Sequence, residues 1–185
     1  MIFVMPDGRD TWYWDSELDP SLKMESFITD RLVQYIDSAY NTIPTPDKRA
    51  ITGLSMGGHG ALWLAMRHSD LWHNAGAMSG GVDFRPFPNN WKIKERLGEK
   101  EKNPESWDSH TVIGLVPTLT PGQLNIIFDC GTDDFFYEVN NNLHAALSDA
   151  GIPHDYTSRP GGHTHEYWAN SVLYHLLYFY NNFNR

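Results

Sequence analysis

The sequence is poor in cysteine, with Cys130 alone in 185 residues. A single thiol excludes an internal disulfide framework and any zinc site built from cysteines. Positive charge is also scarce: 14 Lys and Arg stand against 23 Asp and Glu, a net charge of −9, and no basic run is longer than two. Such a chain repels a phosphate backbone, so no nucleic-acid partner is expected. Long apolar runs are missing too. A membrane span needs roughly 18–20 apolar residues, whereas the best candidate, Tyr174 to Tyr180, is short and contains His175. No membrane partner is expected, and Met1 leads into Ile2-Phe3-Val4 with no basic-then-apolar signal segment. Internal repeats, low-complexity tracts and Gly/Ser linkers are absent as well.

What is present suits one globular domain over residues 1–185. Apolar residues make up 41% and charged residues 20%, too apolar a balance for a disordered chain. Seven Trp, nine Tyr and nine Phe suffice for a core and for a pocket that stacks on a flat or sugar-like ligand.

Short apolar runs alternate with helical periodicity, which predicts an α/β fold with parallel crossovers. Strands are expected at Ile2–Met5, stopped by Pro6-Asp7-Gly8, at Arg49–Leu54, Ala75–Met78, Leu124–Phe128 and His154–Arg159. Helices are expected from Asp19-Pro20 to near Asn41, over Met56–His68 and Tyr137–Ala150, and from Glu166 to Phe183. Residues 83–122 are Pro-rich and irregular, with short helices near Trp91–Leu97 and Trp107–Leu115. They read as an insertion over a site.

Gly53-Leu54-Ser55-Met56-Gly57 has the G-x-S-x-G spacing between a strand and a helix. The sharp turn holds a serine hydroxyl out of the backbone, and small residues are expected on both sides of it. The Met56 N–H and the following helix dipole can stabilise an oxyanion. A serine nucleophile needs a base, and the base needs an orienting acid. In this class the chain order is Ser, then Asp or Glu, then His.

Two downstream turns fit that order: Cys130-Gly131-Thr132-Asp133-Asp134 and Pro160-Gly161-Gly162-His163. Either Asp133 or Asp134 can be the acid, the other capping the next helix. His163, in the Gly-rich turn, is favoured over His165. His163 and His165 could also pair on a metal, but no third ligand is tied to them by spacing, so no metal and no cofactor is expected. His59, His68, His73, His110, His144, His154 and His175 read as surface or core groups, and Cys130 as a small buried apolar residue.

The motifs Val4-Met5-Pro6-Asp7-Gly8, Trp12-Tyr13-Trp14-Asp15-Ser16, ITGLSMGGHG (Ile51–Gly60), CGTDDFFY (Cys130–Tyr137) and PGGHTHEYW (Pro160–Trp168) carry a family resemblance. Over nearly its whole length the chain resembles the esterase D / feruloyl-esterase branch of the α/β-hydrolase superfamily. That branch includes cinnamoyl and feruloyl esterases, acetyl-xylan and tributyrin esterases, S-formylglutathione hydrolases and mycolyl transferases. The resemblance implies an α/β-hydrolase-type, mostly parallel sheet with helices on both faces. It places the acid on Asp134 and the base on His163, with Trp168 following, and sets the Trp12–Asp15 loop beside the acyl or alcohol pocket. Trp12, Tyr13, Trp14 and Trp168 are therefore the expected substrate-binding residues.

The implied reaction is serine-dependent hydrolysis of a small-molecule or carbohydrate-linked carboxylic ester through an acyl-enzyme. Acyl transfer or S-formylglutathione hydrolysis on the same triad, and an inactive carbohydrate- or partner-binding remnant, are the alternatives. The resemblance also implies an N-terminal shortening: 1–185 corresponds to the C-terminal two-thirds of the family domain, with 83–122 as a cap-like insertion. The family's first strands and its His-Gly loop, source of a second oxyanion N–H, have no match. An unpaired seam or a substitute strand is then expected beside Ile2–Met5, filled by a missing N-terminal segment or a homo-oligomer partner.

Overall fold

A computed structural model describes residues 1–16 and 18–185. Its centre is a four-stranded sheet of order β1-β2-β3-β4, with β1 at Ala50–Leu54, β2 at Asn74–Met78, β3 at Asn125–Gly131 and β4 at His154–Arg159. Every neighbouring pair is parallel. β2 is buried along its whole length, as expected of a parallel strand covered on both faces.

The helices are α1 (24–39), α2 (Met56–Arg67), α3 (Ile93–Leu97), α4 (Pro104–Ser109), α5 (Val112–Leu115), α6 (Tyr137–Asp149) and α7 (His165–Phe183). Their packing places α2 and α6 on the face formed by Ala75, Ala77, Ile126 and Phe128, while α7 covers the opposite face, where Gly76 and Asp129 lie. The two shorter β–α crossovers are β1–α2–β2 and β3–α6–β4. The crossover from β2 to β3 carries the irregular segment 83–122 with α3, α4 and α5. It folds over the sheet's carboxyl edge through buried Val82, Phe84, Ile93 and Trp107.

Two expected elements differ. Asp19-Pro20 does not start α1. Asp19 closes a local turn, accepting from Ser21 N at 3.0 Å, and the helix begins at Met24, where Asp15 accepts from Ser26 N at 3.0 Å. The middle of α1, Phe27–Leu32, is wound as a π-helix.

Ile2–Met5 is not a strand. It is exposed, and it has no ladder partner among the described residues. The outer edge of β1 is likewise unpaired among the described residues. Between the two lies a cavity of about 760 Å³, lined by Met1–Val4 on one side and Ala50–Gly53 on the other. A run with strand pattern forms no strand without a neighbour to take its backbone hydrogen bonds.

Candidate active site

At the end of β1 the chain turns into α2 through Ser55, which holds φ 54° and ψ −119°. A non-glycine residue is strained there, and such strain gathers at functional sites. The turn is pinned from two sides: Ser55 N donates to Met78 O at 2.9 Å, and Gly81 N donates to Ser55 O at 3.1 Å. A Cβ at Gly53 would lie 2.4 Å from the carbonyl of Gly57, so only glycine fits at 53. At Gly57 the sequence-based expectation is too strict. A Cβ there would meet only the Tyr13 hydroxyl, at 3.7 Å, which is an ordinary contact.

The loops after β3 and β4 bring the other two groups to Ser55. They are laced together by Thr132 N to Arg159 O and Asp133 N to Gly161 O, both 2.9 Å. His163 Nε2 lies 2.8 Å from Ser55 Oγ, and His163 Nδ1 lies 2.7 Å from Asp134 Oδ2. An ionised carboxylate only accepts, so Nδ1–H donates to Asp134, and neutral His163 offers Nε2 to the serine hydroxyl. The other carboxylate oxygen, Asp134 Oδ1, accepts from Phe136 N at 2.8 Å. Asp134 is buried, whereas Asp133 is exposed. His165 is also exposed, on the first turn of α7, with its ring edge-on to Trp168. The helix is capped by Thr164, whose hydroxyl accepts from Tyr167 N.

The imidazole of His163 is packed by Phe135, Phe136 and Trp168, with ring centroids 4.3, 5.6 and 4.8 Å away. Beneath it, burial and the nearby Asp134 carboxylate push the Cys130 thiol up to about 12. The thiol therefore stays protonated and packs as an apolar group.

A cleft of about 260 Å³ opens at Ser55, walled by Arg9, Asp10, Trp12, Met56, Trp91, Lys92 and Phe136. Met56 follows the serine at the N-terminus of α2. Trp91 and Lys92 belong to the irregular segment and both hold positive φ, 51° and 57°. Their turn is tied to the opposite loop by Asp10, which pairs with Lys92 Nζ at 3.2 Å and Arg96 Nη2 at 2.8 Å. These hydrogen bonds, from Lys92 foremost, lower the Asp10 pKa.

The expected substrate-binding residues divide. Trp12 walls the cleft. Tyr13 does not; its ring covers Gly60 and lines the larger cavity beside β1. Trp168 is absent from the cleft wall and instead packs on His163. Trp14 is 2% exposed and lies in the core behind the site. Its Nε1–H donates to His59 Nε2 at 3.0 Å, His59 Nδ1–H donates to Gly81 O at 3.1 Å, and Gly81 N–H reaches Ser55 O. The first two of these bonds fix the imidazole as the Nδ1–H tautomer, and burial lowers the His59 pKa to about 3, so the ring is neutral. Trp14 thus buttresses the serine turn from behind. Trp14→Ala is expected to destabilise the fold by about 3–5 kcal/mol, as for other buried Trp truncations. Chemical denaturation measures this, and a stability near wild type would show that the indole is not core.

A family model described as "Putative esterase" matches residues 1–179. The chain belongs to this esterase family. S-formylglutathione hydrolase of Mus musculus is 27% identical over 184 residues, covering 90% of this chain and 62% of the mouse protein. An acetyl esterase of Caldicellulosiruptor saccharolyticus is 26% identical, covering 91% of this chain and 67% of the relative. Among solved structures, a ferulic acid esterase superposes with a TM-score of 0.78 at 29% identity, over 92% of this chain and 64% of its own. The fold is thus of the α/β-hydrolase type, in the esterase D / feruloyl-esterase branch. The chain spans about three-fifths of the length of the S-formylglutathione hydrolases it matches, 62% and 60% for the mouse and rat proteins.

Proposed function

We propose that the chain forms a serine carboxylic-ester hydrolase centre with Ser55 as nucleophile, His163 as general base and acid, and Asp134 as the group that orients His163. The observation that carries this reading is the unbroken path from Ser55 Oγ through both nitrogens of His163 to a buried carboxylate, with links of 2.8 and 2.7 Å.

Ser55 Oγ attacks the ester carbonyl as its proton passes to His163 Nε2. The imidazolium is stabilised by Asp134 at Nδ1. The Met56 N–H and the positive end of α2 stabilise the oxyanion. The tetrahedral intermediate collapses, His163 protonates the departing alkoxide, and an acyl-Ser55 ester remains. A water molecule, deprotonated by His163, then attacks the acyl carbon and releases the acid and free Ser55.

Trp91, the exposed aromatic side chain of the cleft wall, favours a flat acyl group, and the net charge of −9 disfavours polyanionic substrates. Stacking contributes about 0.5–1.5 kcal/mol beyond area burial, or roughly 2- to 13-fold. Trp91→Ala should lower kcat/KM for p-nitrophenyl cinnamate relative to p-nitrophenyl acetate by a factor in that range. An unchanged ratio would remove Trp91 from the acyl pocket. The reading as a whole is tested by reacting the chain with a fluorophosphonate probe. Phosphonylation of Ser55, absent in Ser55→Ala, is the expected result. A wild-type chain that stays unlabelled overturns the assignment and favours a non-catalytic binding role.

A further inference from the structure

A second hydroxyl–imidazole–carboxylate chain lies inside the protein, on elements that also carry the first. Thr52 Oγ1 on β1 is 2.9 Å from His175 Nδ1, and His175 Nε2 is 3.0 Å from Asp129 Oδ2 on β3. Asp129 Oδ1 accepts from Ser171 Oγ at 2.7 Å, and Arg159 Nη2 lies 3.3 Å from the same oxygen and 2.6 Å from Ser171 Oγ. Ser171 and His175 are fully buried and Asp129 is 2% exposed. No substrate reaches this network, so it is not a second active site.

Its placement is specific. The His175 ring crosses β2 at Gly76, where a Cβ would lie 2.6 Å from Nδ1. A glycine in a fully buried strand is explained by this approach. Thr52 stands three residues before Ser55, Asp129 five before Asp134 and Arg159 four before His163. Polar groups are a poor way to stabilise a core, since buried ion pairs are often no better than apolar residues of similar volume. What they do supply is a defined distance, because the Thr52 hydroxyl and the His175 ring meet set partners and an unmade buried bond is strongly disfavoured.

We propose that His175 is a positioning residue for the Ser55 centre. By bridging Thr52 and Asp129 across β2 it fixes the spacing between the strand that delivers Ser55 and the strand that delivers Asp134. Ser171 and Arg159 extend the bridge to α7 and β4, which flank the His163 loop. The Asp129 carboxylate sets the tautomer: Nε2–H donates to it, and Nδ1 accepts from the Thr52 hydroxyl. This rests on the serine-esterase reading above, so Ser55 labelling by the fluorophosphonate is established first.

The test uses Thr52→Val, which removes one hydroxyl at nearly constant volume, beside Thr52→Ser, which keeps it. Misplacement of reacting groups by a fraction of an ångström lowers the chemical step more than binding. Thr52→Val should lower kcat on p-nitrophenyl acetate by about tenfold with KM within about twofold, and Thr52→Ser should restore most of it. His175→Gln, whose amide can still donate to Asp129, should retain more kcat than His175→Leu. All rates are taken far below each variant's melting temperature, so a purely structural role leaves kcat unchanged. If Ser55 is labelled in the wild type and folded Thr52→Val keeps wild-type kcat, or changes only KM, the positioning role is overturned while the esterase reading stands. If Ser55 is not labelled, the reading beneath it fails first.

Discussion

Ser55→Ala is expected to abolish hydrolysis of p-nitrophenyl acetate, with a loss on the order of 10⁴–10⁶ in kcat, and His163→Ala should be nearly as damaging because the three groups act as a unit. Asp134→Asn should lower the rate by roughly 10³–10⁴, since an amide in place of the carboxylate can turn its donor toward Nδ1 and stabilise the wrong tautomer of His163. Asp133→Asn should stay within about twofold of wild type, because the Asp133 side chain is exposed and only its backbone N–H ties the two loops together. His165→Ala should likewise stay close to wild type beside the damaging His163→Ala, because the His165 ring is exposed on α7. Steady-state kcat and KM for the five variants, with circular dichroism to confirm folding, decide the assignment. A silent Asp134→Asn beside a damaging Asp133→Asn would transfer the acid role to the neighbour. Activity that survives Ser55→Ala would end the serine mechanism.

The elements that deliver these groups were legible because their signals are local. Runs of strand length bounded by turn residues gave β1 to β4 to within a few residues, and helical spacing gave α2, α6 and α7. The geometry around Ser55 follows from that order, since parallel strands put every strand-to-helix turn on one edge. The cleft was less legible, because its walls meet through contacts distant in sequence. Trp91 and Lys92 reach Ser55 on a positive-φ turn held by Asp10, more than eighty residues earlier. Nothing in a window around Trp91 encodes that approach. Within the Trp12–Trp14 loop, the place of Trp14 was illegible for a related reason. A loop rich in Trp can face a ligand or the core, and the choice depends on whether an indole N–H finds a buried acceptor. Trp14 finds His59, from the α2 face 45 residues away. Ile2–Met5 shows the remaining limit: its pattern is that of a strand, but strand formation is a property of two segments, not one.

His59 gives the second large effect, on stability in mild acid. Its pKa is lowered to about 3 by burial, against 6.5 ordinarily. The native state therefore keeps it neutral while the unfolded chain takes up a proton below about 6.5. Between those values the unfolded state binds more protons, so stability rises with pH and is lost as pH falls. The loss begins near 6.5 and levels off near 3, below which the native state is protonated too. From pH 7 to pH 5 this one group should remove about 2 kcal/mol. Glu25 acts in the same direction at lower pH. Burial alone would raise its pKa, but hydrogen bonds from His68 and Arg67 outweigh that and hold it at about 2. A carboxylate depressed in this way stabilises the fold above its ordinary value of 4.5, and that contribution fades as pH falls toward 2. The interval above pH 5 thus isolates His59 from Glu25. His59→Gln can still accept from Trp14 and donate to Gly81 but cannot titrate. Its unfolding free energy, measured by urea denaturation, should be lower than wild type at pH 7 and should fall by about 2 kcal/mol less than wild type between pH 7 and pH 5. Parallel stability curves for the two proteins over that interval would mean that the imidazole behind Ser55 gains its proton without unfolding, and that the Trp14–His59–Gly81 support is open to water.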